Sequence, residues 1–177
     1  KSNSGLGSGP GLSRAVSGFG SPISGFSAST LASLTVWPYR TGSMDPSKLN
    51  WLAVGAAALS TFLLGGIWYS PVLFGRAWQR ETGLSDTQLQ SRSMAMVFGT
   101  SFVLALIMAF NLAAFLQGPP DLAWGMTAGA LAGIGWVAMA MGVTYLFEAR
   151  SMKLFLINAG YHAVSFIVMG AILGAWK

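Results

Sequence analysis

From Trp51 to Trp176 the chain alternates between long uncharged apolar stretches and short polar breaks. The uncharged stretches run Trp51–Gly75, Ser93–Pro120, Leu122–Phe147 and Leu154–Trp176. A helix rises about 1.5 Å per residue and a bilayer's hydrocarbon core is about 30 Å thick, so roughly 20 apolar residues span it. Each stretch meets that length. The pattern therefore predicts an all-α polytopic membrane protein, a bundle of four transmembrane helices over about residues 50–69, 93–117, 122–147 and 154–176.

The breaks set the expected boundaries. Proline disfavours helix at the residue before it, so Ser70-Pro71 should close the first span, which begins near Leu49. Ser85-Asp86-Thr87-Gln88 has capping-box spacing, which predicts a second helix starting near Asp86 and running to Gln117. Gly118-Pro119-Pro120 predicts a tight turn that makes the second and third spans antiparallel neighbours.

Charge adds an orientation. The breaks after the first and third spans hold Arg76, Arg80, Arg92, Arg150 and Lys153, whereas the other side from Met44 onward holds Lys48 and Lys177. The positive-inside rule then puts the arginine-bearing loops in the cytoplasm and both termini away from it. Trp51, Trp124 and Trp176 fall at one expected interface, and Trp68, Tyr69 and Tyr145 at the other.

Residues 1–43 differ in character: they are rich in Gly and Ser, carry Lys1, Arg14 and Arg40, and contain no acid. They hold no apolar run of span length, so disorder is expected, with Met44 as the start and residues 44–177 as the membrane domain. The same Ser-rich, Arg-bearing composition also fits an organellar transit peptide.

Small residues recur every fourth position along the spans. Ala53, Ala57, Thr61 and Gly65 mark the first, and Ser101, Ala105, Ala109 and Ala113 the second. Gly125, Gly129 and Gly133 mark the third, and Gly170 and Gly174 the fourth. Helices in lipid associate by close van der Waals contact, so these stripes are expected to pack the bundle; the other use of such a face is a homodimer.

No Asp, Glu, Lys or Arg lies inside a span. A proton-coupled exporter of this size would need an intramembrane carboxylate, and none is present. The polar groups at membrane depth are Asn158, His162 and Ser165, at i, i+4 and i+7, so they share one face of the fourth span to within roughly 60°, with Tyr161 beside them. An imidazole at that depth must find a partner. It either ties helices together through hydrogen bonds, as Asn158 and Asn111 are expected to do, or serves a ligand or proton.

Composition closes off other classes. Hydrophobic residues make up 53% of the chain and charged residues 8%. The net charge of +5 is not gathered into a basic stripe interleaved with aromatics, so nucleic acid is not an expected partner. One histidine and no cysteine make a poor metal or haem site, and no paired carboxylates, Ser–base pair or phosphate loop points to catalysis. No cofactor, metal or enzymatic activity is expected.

Two segments carry a resemblance. The first is Trp68-Tyr69-Ser70-Pro71-Val72-Leu73-Phe74-Gly75-Arg76-Ala77-Trp78. The second is Tyr145-Leu146-Phe147-Glu148-Ala149-Arg150 followed by Leu154-Phe155-Leu156-Ile157-Asn158-Ala159-Gly160-Tyr161-His162. With Asn50-Trp51-Leu52-Ala53, these resemble the small bacterial four-helix membrane family named domain of unknown function 1761. The resemblance implies a multi-pass protein of a bacterial inner membrane and brings no substrate or catalytic residue with it. The motifs fall at the cytoplasmic end, where Tyr69, Glu148, Arg150, Asn158 and His162 are expected to share a polar pocket, with Tyr161 and Ser165 beside it. That pocket suggests small-molecule or ion binding or transport. The competing expectation is a non-catalytic accessory subunit docked on a membrane partner.

Overall fold

The computed structural model describes residues 45–177, so the expectations for residues 1–43 and for Met44 fall outside it. A short 3-10 turn, Pro46–Lys48, precedes α1 (Trp51–Trp68), α2 (Gly75–Thr82), α3 (Asp86–Gln90), α4 (Met94–Phe115), α5 (Leu122–Phe147) and α6 (Met152–Ala175). No strand occurs among the described residues. α1, α4, α5 and α6 are each long and apolar enough to cross a membrane.

Every one of these four spans opens on a polar cap. The side chains of Asn50, Ser93, Asp121 and Ser151 accept from the backbone N–H groups of Ala53, Met96, Trp124 and Leu154. Each cap satisfies a donor that the first helical turn leaves unpaired.

Ser93 also corrects the expected start of the second span. The capping box at Ser85 forms, with Ser85 and Gln88 exchanging side-chain and backbone bonds, but the helix it starts ends at Gln90. Ser93 is extended, at φ −66° and ψ 102°, and caps a new helix. The break 72–93 therefore holds two short helices rather than a loop and a continuous run.

A second correction concerns neighbours. α4 and α5 follow one another through Gly118-Pro119-Pro120, and Phe115 meets Trp124 at that turn with ring centroids 6.0 Å apart. Beyond the turn they do not pair: α4 lies chiefly on α1, and α5 on α6. α6 touches all three other spans and is the most enclosed of them, and α5 is the least.

Glycine decides the α5–α6 pairing. A Cβ placed at Gly125, Gly129, Gly133, Gly170 or Gly174 would come closer than 3.0 Å to an atom of the facing helix, mostly backbone. Only hydrogen fits there. The antiparallel pair is locked at one end where Asp121 N–H donates to the Gly174 carbonyl at 2.9 Å. The glycine faces are thus occupied within the chain itself. On the other side, Ala53, Ala57 and Thr61 of α1 and Ala105, Ala109 and Ala113 of α4 are buried, and Ser101 is exposed. Asn111 bonds to the Ile107 carbonyl of its own helix at 2.8 Å and is exposed, so it does not tie helices together as expected.

The two ends of the described chain lie on the same side. Gln117 and Asp45 exchange bonds of 3.1 and 3.4 Å, and Lys177 donates to the Leu116 carbonyl.

Gly129→Ile should force α5 away from α6 and lower stability by about 1–3 kcal/mol or more. Gly135→Ala, where a Cβ meets nothing within 4 Å, should leave stability unchanged. Thermal denaturation of both variants in the same detergent checks this, and equal melting points would count against the glycine lock.

Candidate functional site

The two motif segments turn out to be opposite sides of one joint. Trp68 closes α1 and donates its indole Nε1–H to the Ile157 carbonyl of α6 at 3.0 Å. Its ring lies over Gly160, where a Cβ would stand 3.2 Å from it, and against Phe74 at 4.8 Å. One residue on, the Tyr69 hydroxyl donates to Asn158 Oδ1 at 2.9 Å. The chain then reverses through Ser70-Pro71, with Gly75 N–H on the Ser70 carbonyl at 2.9 Å. Gly75 allows this closure, because a Cβ there would fall under 3.0 Å from Ser70 backbone atoms.

Asn158 joins three spans. Its Oδ1 accepts from Tyr69 of α1, and its Nδ2–H donates to the Tyr145 hydroxyl of α5 at 2.8 Å. Tyr161 makes a further tie, its hydroxyl donating to the Thr61 carbonyl of α1 at 3.1 Å, in the space that Gly65 leaves open. Around these bonds the rings of Tyr69, Trp78, Tyr161 and His162 form a chain with centroids 5.1 to 5.8 Å apart.

Glu148 and Arg150 stand outside this network. They pair with each other at 3.1 Å, and both are exposed. The turn that carries them closes with Arg150 N–H on the Tyr145 carbonyl and Ala149 in the left-handed region at φ 50°. An exposed pair of this kind contributes at most about 1 kcal/mol. Of the five residues expected to share a pocket, Tyr69 and Asn158 bond directly, His162 adjoins them through Tyr161, and Glu148 and Arg150 do not join.

Deeper along α6 the stripe changes character. Ser165 is 2% exposed and its Oγ has no hydrogen-bond partner among the described residues. His162, half-buried, forms no side-chain hydrogen bond among them either. On the wheel of α6, His162 lies between the face that meets α1 (Ile157, Tyr161) and the face that meets α5 (Phe166, Gly170). Opposite it, Leu131–Ala138 of α5 is wound as π-helix, and Gly133 within that segment sits against the His162 carbonyl and Ala163. Wide turns of this type are rare and recur at functional positions.

Sequence reasoning left out three participants. Tyr145 was visible as a motif and belt residue, but not as the partner of Asn158 across a turn. The Thr61 carbonyl carries no sequence signal. Glu81, in the loop, receives the Ser151 hydroxyl at 2.5 Å and pairs with Lys153 at 3.5 Å, so α2 is fastened to the start of α6. The Ser151 hydroxyl, helped by Lys153, holds the Glu81 carboxyl below the usual glutamate range.

Asn158→Leu removes two interhelical bonds and should cost about 1–3 kcal/mol, from roughly 0.6 to 1.7 per bond in membrane bundles. Tyr69→Phe and Tyr145→Phe should each reproduce part of that loss in chemical denaturation; no loss in either would dissolve the proposed joint. Because its folded value is depressed, Glu81 stabilises the α2 attachment above the unfolded glutamate value, and that contribution disappears as pH falls through the folded value. Amide protection in α2, taken relative to the intrinsic exchange rate at each pH, should therefore fall at acid pH in the native protein and be already reduced, and flat with pH, in Glu81→Gln.

Comparison with curated proteins and with solved structures finds no match. The family model described as "Protein of unknown function (DUF1761)" matches residues 52–174, from the first turn of α1 to the end of α6. The chain belongs to that family.

Proposed function

We propose that this chain handles a small molecule or ion within the membrane, at a site formed by His162 and Ser165 on α6 beside the π-wound segment of α5. The observation that carries this reading is the contrast along one helical stripe. Asn158 is fully engaged, whereas His162 and Ser165, one and two turns deeper, have no side-chain partner among the described residues. A polar group left unsatisfied in hydrocarbon costs several kcal/mol, so buried, partnerless Ser165 with half-buried His162 one turn away favours an occupant that bonds to both. Imidazole and hydroxyl each donate and accept, and beyond Lys153 in the first turn of α6 the spans hold no fixed charge, which suits a polar ligand of low net charge.

The same reading makes Tyr69, Asn158, Tyr145 and Tyr161 the frame that holds α6 in register beside the site. Glu148 and Arg150 then lie at its approach from the cytoplasm. The charge asymmetry of the loops supports this orientation, with both termini away from the cytoplasm of a bacterial inner membrane.

Native mass spectrometry of the protein extracted from its own membrane into lipid nanodiscs tests the proposal. The expected result is a bound small molecule that is lost in a folded His162→Ala variant and weakened in Ser165→Ala. Retention in both variants, or a partner subunit at fixed stoichiometry with no small ligand, would overturn it and favour the accessory role.

A further inference from the structure

α2 has a face that the bundle does not use. Its inner side is committed: Trp78 meets Tyr69, and Glu81 holds Ser151 and Lys153. On its outer side Arg76 and Arg80, one turn apart, are exposed and belong to none of the salt bridges among the described residues. The nearby acids are turned elsewhere, Glu81 toward α6 and Asp86 toward the Gln79 side-chain N–H at 2.6 Å. Neither arginine is ion-paired among the described residues, and the one acid whose carboxyl feels Arg80, Glu81, is held by Ser151 and Lys153. Before these arginines Val72 and Leu73, in the turn between α1 and α2, are 90% and 48% exposed. Apolar side chains next to free guanidinium groups, at the depth where a span ends, match the division of a phospholipid into chains and phosphate.

We propose that Arg76 and Arg80 form a binding site for the phosphate of an anionic phospholipid, with Val72 and Leu73 against its acyl chains. Residues at i and i+4 on a helix lie about 6 Å apart, so two arginines at that spacing can hold one phosphate between them. Guanidinium is suited to the task, because its planar fork bonds phosphate oxygens in pairs. The site is independent of His162 and Ser165. It places a lipid on the element that Glu81 fastens to α6.

The test uses the full chain in nanodiscs of equal parts phosphatidylglycerol and phosphatidylcholine, with retained lipids counted by native mass spectrometry. Each basic residue near an anionic surface contributes on the order of a five-fold gain, so R76Q/R80Q should lower phosphatidylglycerol retention roughly twenty-fold. R92Q, which removes one charge from the same side, should lower retention by no more than the about five-fold that a single surface charge contributes. A photoactivatable phosphatidylglycerol should also crosslink the unaltered protein within residues 72–80, a readout that needs no variant. Equal retention in R76Q/R80Q, an equal loss in R92Q, displacement of the lipid by inorganic phosphate, or crosslinks confined to other segments would each overturn the proposal.

Discussion

Direct contact between the backbones of α5 and α6 is the constraint on which the rest of this bundle depends. Lipid tails are as apolar as the side chains they surround, so burial in hydrocarbon cannot press helices together. What remains is proximity, and five glycines supply it where a single methyl group would collide with the facing helix. The bond from Asp121 to Gly174 sets the register at one end of this pair. The short turn through Ala149 sets it at the other. With α5 held in this way, α6 presents its remaining faces to α1 and α4 and becomes the centre of the structure.

That central position explains why the polar groups at membrane depth lie on α6 and why they divide into two kinds. Near the end that faces α2, Asn158 reaches a tyrosine on each flanking span, and its amide is well suited because it accepts on one atom and donates on the other. The Trp68 and Gly160 pair beside it works by shape, a ring lying where a side chain is missing. Deeper in, the frame stops and the polar groups continue. Ser165 and His162 lie where α6 adjoins the π-wound part of α5, a segment whose wider turns alter the direction of its side chains relative to a regular helix.

The spans, the use of glycine and the division between polar and apolar segments were legible in the sequence because each follows from local composition and period. The matching of helices was not. Gly118-Pro119-Pro120 correctly marks a turn, yet proximity in sequence did not make α4 and α5 partners, since the glycine face of α5 fits α6 and not the alanine face of α4. The Ser85 capping box likewise identified a real helix start, whereas the extended backbone of Ser93 ends that helix's claim on the following span. Of the polar residues, Asn158 and Tyr69 were visible as motif positions, but their bond joins residues 89 apart in the chain.

The sequence by itself determined that this chain forms four apolar helices with their charges in the breaks, because spanning length and charge placement depend only on neighbouring residues. The tertiary structure alone decided which helices touch and that Glu81 fastens the loop to α6, whereas the Glu148–Arg150 loop pair was already readable from their spacing. The helix pairing rests on which backbones can approach within glycine distance. No periodicity in one helix records the shape of the surface it will meet.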